Sequence, residues 1–354
     1  MKVWHLVFRT DSLTYTVAKA LSVGGHDVNV WVVDPLRDGA PADRIQRRLP
    51  DVPRVRIIAG NLAALPSVID RLIVQVFPRP LESIRHIDLL ARRSRQITLI
   101  TAGDRSRTWR EAMRLQWLEA RKLALHARRV DRVLYKDGCY ARDLLGLFAP
   151  RDVVGFDVHS HFLHDAQAFR AIHACDWTPA SRRPMLVNFL GSRDPAVRGR
   201  LLDAVRPLFH SPGGSPPRGP TGKSMYWHEY SDAEPKTVDP LEFVNVLSRS
   251  DFTLCPCGYS RVTHRPIEAL LRGSIPVLSA DELDLYGVPL EDGVNCIGVS
   301  DERWPETVAR LGRIGEEDLV RMRRNIQAMF AEYLNYDIVA RRIRMRLGVL
   351  EECK

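Results

Sequence analysis

The sequence has no apolar run long enough to cross a bilayer. Its longest, such as residues 72–77 and 153–158, are strand-sized and far below the roughly 18 residues a helical span requires. The first residues read as a strand ending at Arg9, without the basic, apolar and small-residue succession of a leader, so no secretory signal is expected. Cysteine is sparse. Cys139, Cys175, Cys255, Cys257, Cys296 and Cys353 follow no framework of spacings, which fits free thiols in a reducing cytoplasm. Low-complexity sequence is confined to a Pro/Gly-rich stretch at 211–222. No helix-turn-helix, zinc-finger or RNP-like aromatic set accompanies the many arginines, so nucleic acid is not an expected partner.

What is present is a chain of 354 residues, more than one ordinary domain holds. Its charge is unevenly spread. Residues 1–150 carry 26 Lys+Arg against 15 Asp+Glu, so the whole excess behind the net +9 lies in the first half. A basic half beside a near-neutral one points to a phosphate-bearing or otherwise anionic partner. The arginines at 92, 93 and 95 and the basic helix expected over 108–128 suit anionic headgroups or a pyrophosphate-linked acceptor; the alternative is a solvated helix face.

The first half alternates apolar strands (3–8, 27–33, 55–59, 72–77, 96–102, 132–135, 153–156) with amphipathic helices. Near-continuous apolar strands in a βαβα chain indicate a parallel sheet buried on both faces. Residues 176–184, with two prolines and no periodicity, read as an interdomain linker. The pattern then restarts with a strand at 185–191, a helix at 194–208, a helix near 240–249, strands at 252–255 and 275–278 with a helix at 266–271 between them, and a long helix from 316 towards 347, broken near Asn335-Tyr336. The expected fold class is α/β, with two Rossmann-like doubly wound domains facing across a cleft. The domains are residues 1–178 for an acceptor, 179–335 for a donor, and 336–354 as a helix packing back on the first. Ligands of such sheets bind beyond the carboxyl ends of the strands.

The richest segment is 251–281. A strand runs into Pro256-Cys257-Gly258, a polar loop follows with Ser260, Thr263 and His264, and Arg265 opens a helix with Pro266 at its start, where the missing N–H costs nothing. Arg265 and His264 add charge suited to a diphosphate, and Glu268 is placed to accept from ribose hydroxyls. Cys255-Pro256, Gly258, Arg265, Glu268, Ala269, Gly273 and Ile275-Pro276-Val277 together resemble the exostosin-type signature of glycosyltransferases with the two-Rossmann (GT-B) architecture. Residues 185–200 are similar to the opening of that family's donor domain, and residues 1–33, with Gly25–Val28, to the first βαβ of many such enzymes. Cys257 and Tyr259 stand where the family more usually has an Arg and an acidic residue.

The resemblance implies transfer of a sugar, with inversion and without a bound metal, from a nucleoside diphosphate-sugar (UDP-sugar foremost) to a hydroxyl of a glycan, lipid-linked or small-molecule acceptor. The implied place is the cytoplasm, or peripherally the inner face of the membrane. Two other readings stay open: a nucleotide-sugar epimerase or hydrolase on the same scaffold, and a non-catalytic polyanion-binding protein. Arg193, just after a strand end, is a further donor-site candidate or a solvated arginine. Asp11 and Asp104 follow strands where a base is wanted, and each equally suits a helix cap. Trp227-His228-Glu229 lies near a strand end, with Trp227 better read as packing. Alternation would put His159 and His161 on one face of a strand, as in metal sites, with His164 near them, but no completing ligands are seen, so a cleft-lining or hinge role is expected and no metal. Cys255-x-Cys257 is explained by a buried strand.

Overall fold

The computed structural model describes residues 1–7, 12–33, 52–75, 86–101, 130–135, 153–155, 165–193, 196–209, 222–230, 238–258 and 263–349. They form two compact units, Met1–Asp157 with Tyr336–Lys354, and Val158–Asn335. The first unit contains β1 (Lys2–Val7), α1 (Ser12–Val23), β2 (Asp27–Val33), β3 (Val55–Gly60), β4 (Ile69–Gln75), α2 (Ile87–Arg93), β5 (Ser94–Thr101), β6 (Arg132–Tyr135) and β7 (Val153–Gly155). The strands pair in parallel in the order β3-β2-β1-β4-β5-β6-β7. Such an order is wound in both directions from β1, with its switch between β1 and β4. β1 and β2 are buried almost throughout, as their near-continuous apolar runs, interrupted by His5 and Asn29, require.

The second unit begins with α3 (Ala166–His173). It continues with β8 (Met185–Ser192), α4 (Ala196–Val205), β9 (Ser224–Tyr230), α5 (Pro240–Arg249), β10 (Ser250–Leu254), α6 (Arg265–Leu271), β11 (Ile275–Ser279), β12 (Ile297–Val299), α7 (Trp304–Arg310) and α8 (Glu316–Met329). Its sheet runs β12-β11-β10-β8-β9, again parallel. The chain leaves β8 for β9 on one side and returns past it to β10 on the other, so the switch lies between β8 and β10. Two doubly wound α/β sheets are the architecture the sequence announces.

The linker is where sequence and structure part. Residues 176–184 are bound into the second unit, and the division between units falls at Asp157/Val158, before the expected 178. Trp177 is buried, its indole donates to the Leu271 carbonyl at 3.0 Å, and its ring occupies the space a Cβ on Gly273 (φ +64) would need. Arg183, also buried, donates to the carbonyls of Leu247, Ser250 and Arg272, and Arg272 in turn holds the Ala171 carbonyl and Asp176 at 2.7 Å each. Prolines and absent periodicity mark irregular backbone, which a docked segment shares with a loose one. At the amino end of β10 the fully buried Asp251 pairs with the fully buried Arg323 of α8 and, at 2.7 Å, with Lys223. A buried carboxylate needs such partners, because desolvation otherwise costs several kcal/mol.

The C-terminal helical stretch is interrupted by a π turn at Phe330–Leu334, then Asn335, before α9 (Tyr336–Arg346). Val339, Ala340, Ile343 and Leu347 belong to the same apolar cluster as Val3, Val17 and Leu21 of the first unit. Arginines bind the backbone carbonyls at the helix ends. Arg132 donates to Met345 and Arg346 at 2.8 and 2.7 Å, Arg71 to Gly348, and Arg344 to Ala20 at the end of α1 at 2.9 Å.

His5 sits on β1, fully buried beside Gln75, and burial outweighs that neighbour and pushes its imidazole pKa down to about 3. The unfolded chain takes up this proton near pH 6.5 while the folded chain refuses it, so stability is complete above about 6.5 and falls towards pH 3. The contribution approaches about 1.4 kcal/mol per pH unit. In urea titrations between pH 7 and 4, His5→Leu should show a shallower loss of stability than the wild type by about that slope; parallel losses would contradict a neutral buried His5.

Candidate functional site

The carboxyl ends of β8 and β10 flank the switch of the second sheet, and Arg198, in the first turn of α4, spans them. Its Nε donates to the Cys257 carbonyl at 2.9 Å and its Nη1 to the Ser192 carbonyl at 3.1 Å. Gly258 is required by this arrangement: a Cβ there would lie 2.2 Å from Arg198 Nη2. The signature glycine therefore makes room for an arginine that sequence reasoning passed over. Arg193, nearer the strand end, drew the attention instead. Its guanidinium is committed to Asp203 at 2.6 Å and Glu229 at 2.9 Å, and hydrogen bonds to these two carboxylates raise its pKa further. Glu229 also accepts from the indole of Trp227 at 3.2 Å. That indole packs on Phe189 and Phe209 with ring centroids 4.6 and 4.8 Å away, so Trp227 is a packing residue.

Beyond β10 the structure gathers a second polar group. Arg265 begins α6, its guanidinium lies 4.2 Å over the ring of Phe243, and its Nε is 3.9 Å from the carboxylate of the buried Glu268 one turn on. That separation is an ion pair beyond hydrogen-bond reach. Among the described residues Nη1 of Arg265 is buried without a hydrogen-bond partner. An unmet buried donor is costly, and here it sits beside a buried acid in a strand-end position. Cys255 lies among the charges: burial raises its thiol pKa first, Glu268 and Glu282 add to that, and Arg265 opposes it. A thiol so held is no nucleophile. Thr263 is itself fixed, its N–H donating to the hydroxyl of the buried Tyr286 at 3.2 Å.

Of the residues singled out from sequence, Gly258, Thr263, Arg265 and Glu268 fall in this strand-end region, with half-buried His264 at the N-cap of α6. Ser260, Asp11, Asp104 and the histidines at 159, 161 and 164 lie outside the described residues. Asp165, near those histidines, caps α3 by accepting from the Ala168 N–H at 2.7 Å. Among the described residues no group of three or more His, Cys, Asp or Glu is placed to hold a metal ion. Arg198, Glu282 and Tyr286 were missed. Arg198 carried one signal, a basic residue in the first turn of the helix that follows the first strand of a doubly wound sheet.

This fold is that of the two-Rossmann (GT-B) glycosyltransferases, and likenesses to known proteins agree with it. No family model matches the chain. It is 26% identical over 137 residues to a probable glucuronosyltransferase of Oryza sativa subsp. japonica, 37% of this chain and 32% of that protein. It is 30% identical over 96 residues to a probable beta-1,4-xylosyltransferase of Arabidopsis thaliana, 25% of this chain and 23% of that protein. The chain thus matches less than a third of the length of these plant relatives, which accord with the exostosin-type resemblance. Among solved structures it resembles Anabaena HepE in complex with UDP, at TM-score 0.58 and 12% identity over 99% of this chain and 100% of that one. It also resembles S. aureus TarM in complex with fondaparinux, alpha-GlcNAc-glycerol and UDP, at TM-score 0.58 and 8% identity over 98% and 99%.

The packing of Arg198 against Gly258 is testable without a ligand. Gly258→Ala should destabilise the second unit by about 1–3 kcal/mol through overpacking. In an Arg198→Ala background the same change should cost little, and an equal cost in both backgrounds would show that the two residues do not meet.

Proposed function

We propose that the chain is a glycosyltransferase that takes a sugar from a UDP-sugar, with the second unit holding the nucleotide and the first the acceptor. The observation that carries this is the group beyond β10: Arg265 with a buried, unmet donor beside the buried carboxylate of Glu268, at the strand ends where doubly wound sheets bind ligands. The UDP complexes of HepE and TarM and the plant relatives support the choice of donor.

In this reading Glu268 accepts from the ribose hydroxyls, while Arg265 and Arg198 face the diphosphate. As the bond from the sugar to the diphosphate breaks, negative charge grows on the leaving oxygen. Fixed guanidinium groups stabilise that charge without reorganising, so the transfer needs no bound metal. One in-line displacement inverts the anomeric centre and calls for one base on the acceptor side, a role we assign to Asp11 or Asp104. Arg193, already matched by two carboxylates, shapes the strand end and is a weaker candidate for the phosphate than the sequence implied.

Arg265→Ala and Glu268→Ala should each weaken UDP binding by about ten- to a hundredfold, since a charged hydrogen bond contributes about 1.5–3 kcal/mol. Calorimetric affinities unchanged in both variants would overturn the assignment. With donor supplied, UDP should be released only when an acceptor is added, and turnover should survive EDTA. Release without acceptor would favour the hydrolase or epimerase alternative, and loss on chelation with recovery on manganese would contradict the arginine-only account.

For the acceptor we infer a glycan or lipid-linked hydroxyl compound, reached at the cytoplasmic face of a membrane through the basic first unit. No helix of the described residues is long and apolar enough to cross a membrane; the attachment we infer is electrostatic and rests on the basic residues. Arg93 is occupied with the carbonyls of Leu62, Ala63 and Leu65, leaving Arg92 and exposed Arg95, which pairs with Asp70 on the surface at 3.4 Å, as the nearer contacts. At about 1 kcal/mol per basic residue, the protein should sediment with anionic and not neutral vesicles at low salt. Indifference to both would remove the membrane from the reading.

A further inference from the structure

Tyr286 is not part of any strand or regular helix; it ends the 3-10 segment that follows β11. Its ring is buried in the core of the second unit with Phe243, Leu254 and Cys255. Its hydroxyl does the polar work: the N–H of Thr263 donates to it at 3.2 Å, and the Thr263 side chain hydrogen-bonds to it as well. Thr263 lies two residues before Arg265. Arg265 in turn is held from another side by the face of Phe243 on α5. The chain that delivers Arg265 to the strand ends is thus fastened to a neighbouring crossover, the one after β11, through a single side-chain hydroxyl.

A phenol is well suited to this. The ring contributes burial as phenylalanine would, and the hydroxyl offers a lone pair at a fixed height above the core. Removing it takes from Thr263 the partner of its N–H and of its side-chain hydroxyl, so the approach to α6 would loosen without the core losing volume. We propose that Tyr286 is a positioning residue of the donor site: it fixes Thr263, and with it the start of α6, so that Arg265 and Glu268 meet the nucleotide diphosphate preorganised. This rests on the donor reading above and adds a role for a residue that touches no substrate.

The test is Tyr286→Phe in the full chain, read in two ways. Amide hydrogen exchange without nucleotide should speed up in peptides covering residues 259–265 while the strands of the second sheet keep their protection. UDP affinity should fall about three- to tenfold, the size of one lost neutral hydrogen bond, and in turnover the rise in donor KM should exceed any fall in kcat. Unchanged exchange would overturn the tether. Faster exchange with unchanged UDP affinity would make the bond merely structural and overturn the positioning role. If the wild type itself fails to bind UDP, the donor reading falls and Tyr286's role with it; equal binding by wild type and variant overturns Tyr286's role alone.

Discussion

The second unit is organised around one constraint, the crossing of the chain past β8. Because β9 and β10 lie on opposite sides of β8, the connections after β8 and β10 depart to opposite faces of the sheet, and their carboxyl ends are left open between them. Arg198 is the side chain that spans this gap, and Gly258 exists in the form it does because that arginine passes over it. The opposite end of β10 is closed by charge: Asp251 with Arg323 and Lys223, and Arg183 on the carbonyls that end α5 and α6. One pole of the strand is therefore bound into the fold, while the other presents Arg265, with one buried nitrogen unmet, beside Thr263 and the buried carboxylate of Glu268.

Sequence legibility followed physical simplicity. Strands such as β1, β2 and β11 are buried on both faces, so their near-continuous apolar runs carried the parallel α/β class directly. β12, three residues long, is too short for any periodicity to show. Residues 176–184 misled because a segment docked by Trp177 and Arg183 has no more regular pattern than a free linker; what binds it is the space over Gly273 and the carbonyls of other elements, none of which is local. The residues at the carboxyl end of β10 were legible where a motif held them together, as at Arg265 and Glu268. Arg198 and Tyr286 act on backbone atoms about sixty and twenty residues away, and no local pattern records such a contact.

The basic first unit shows how composition can overstate a surface signal. Arg71, Arg93 and Arg132 all count towards the positive excess of residues 1–150, yet each donates to backbone carbonyls at the end of a helical segment. A cation near unpaired carbonyls favours the helix dipole as well as the hydrogen bond. Burial and the nearby Arg132 both lower the pKa of Arg71, a strain accepted for holding the chain end. Part of the positive excess is thus structural cement for α9, which the first unit needs to complete its core.

The central claim is that the second unit alone recognises the nucleotide, at the carboxyl ends of β8 and β10. Hydrogen exchange of the wild-type protein with and without saturating UDP addresses it most directly. Slower exchange on binding is predicted in peptides covering residues 191–200 and 254–268, with the strands of the first sheet unchanged. Protection confined to the first unit, or none anywhere at saturation, would contradict it.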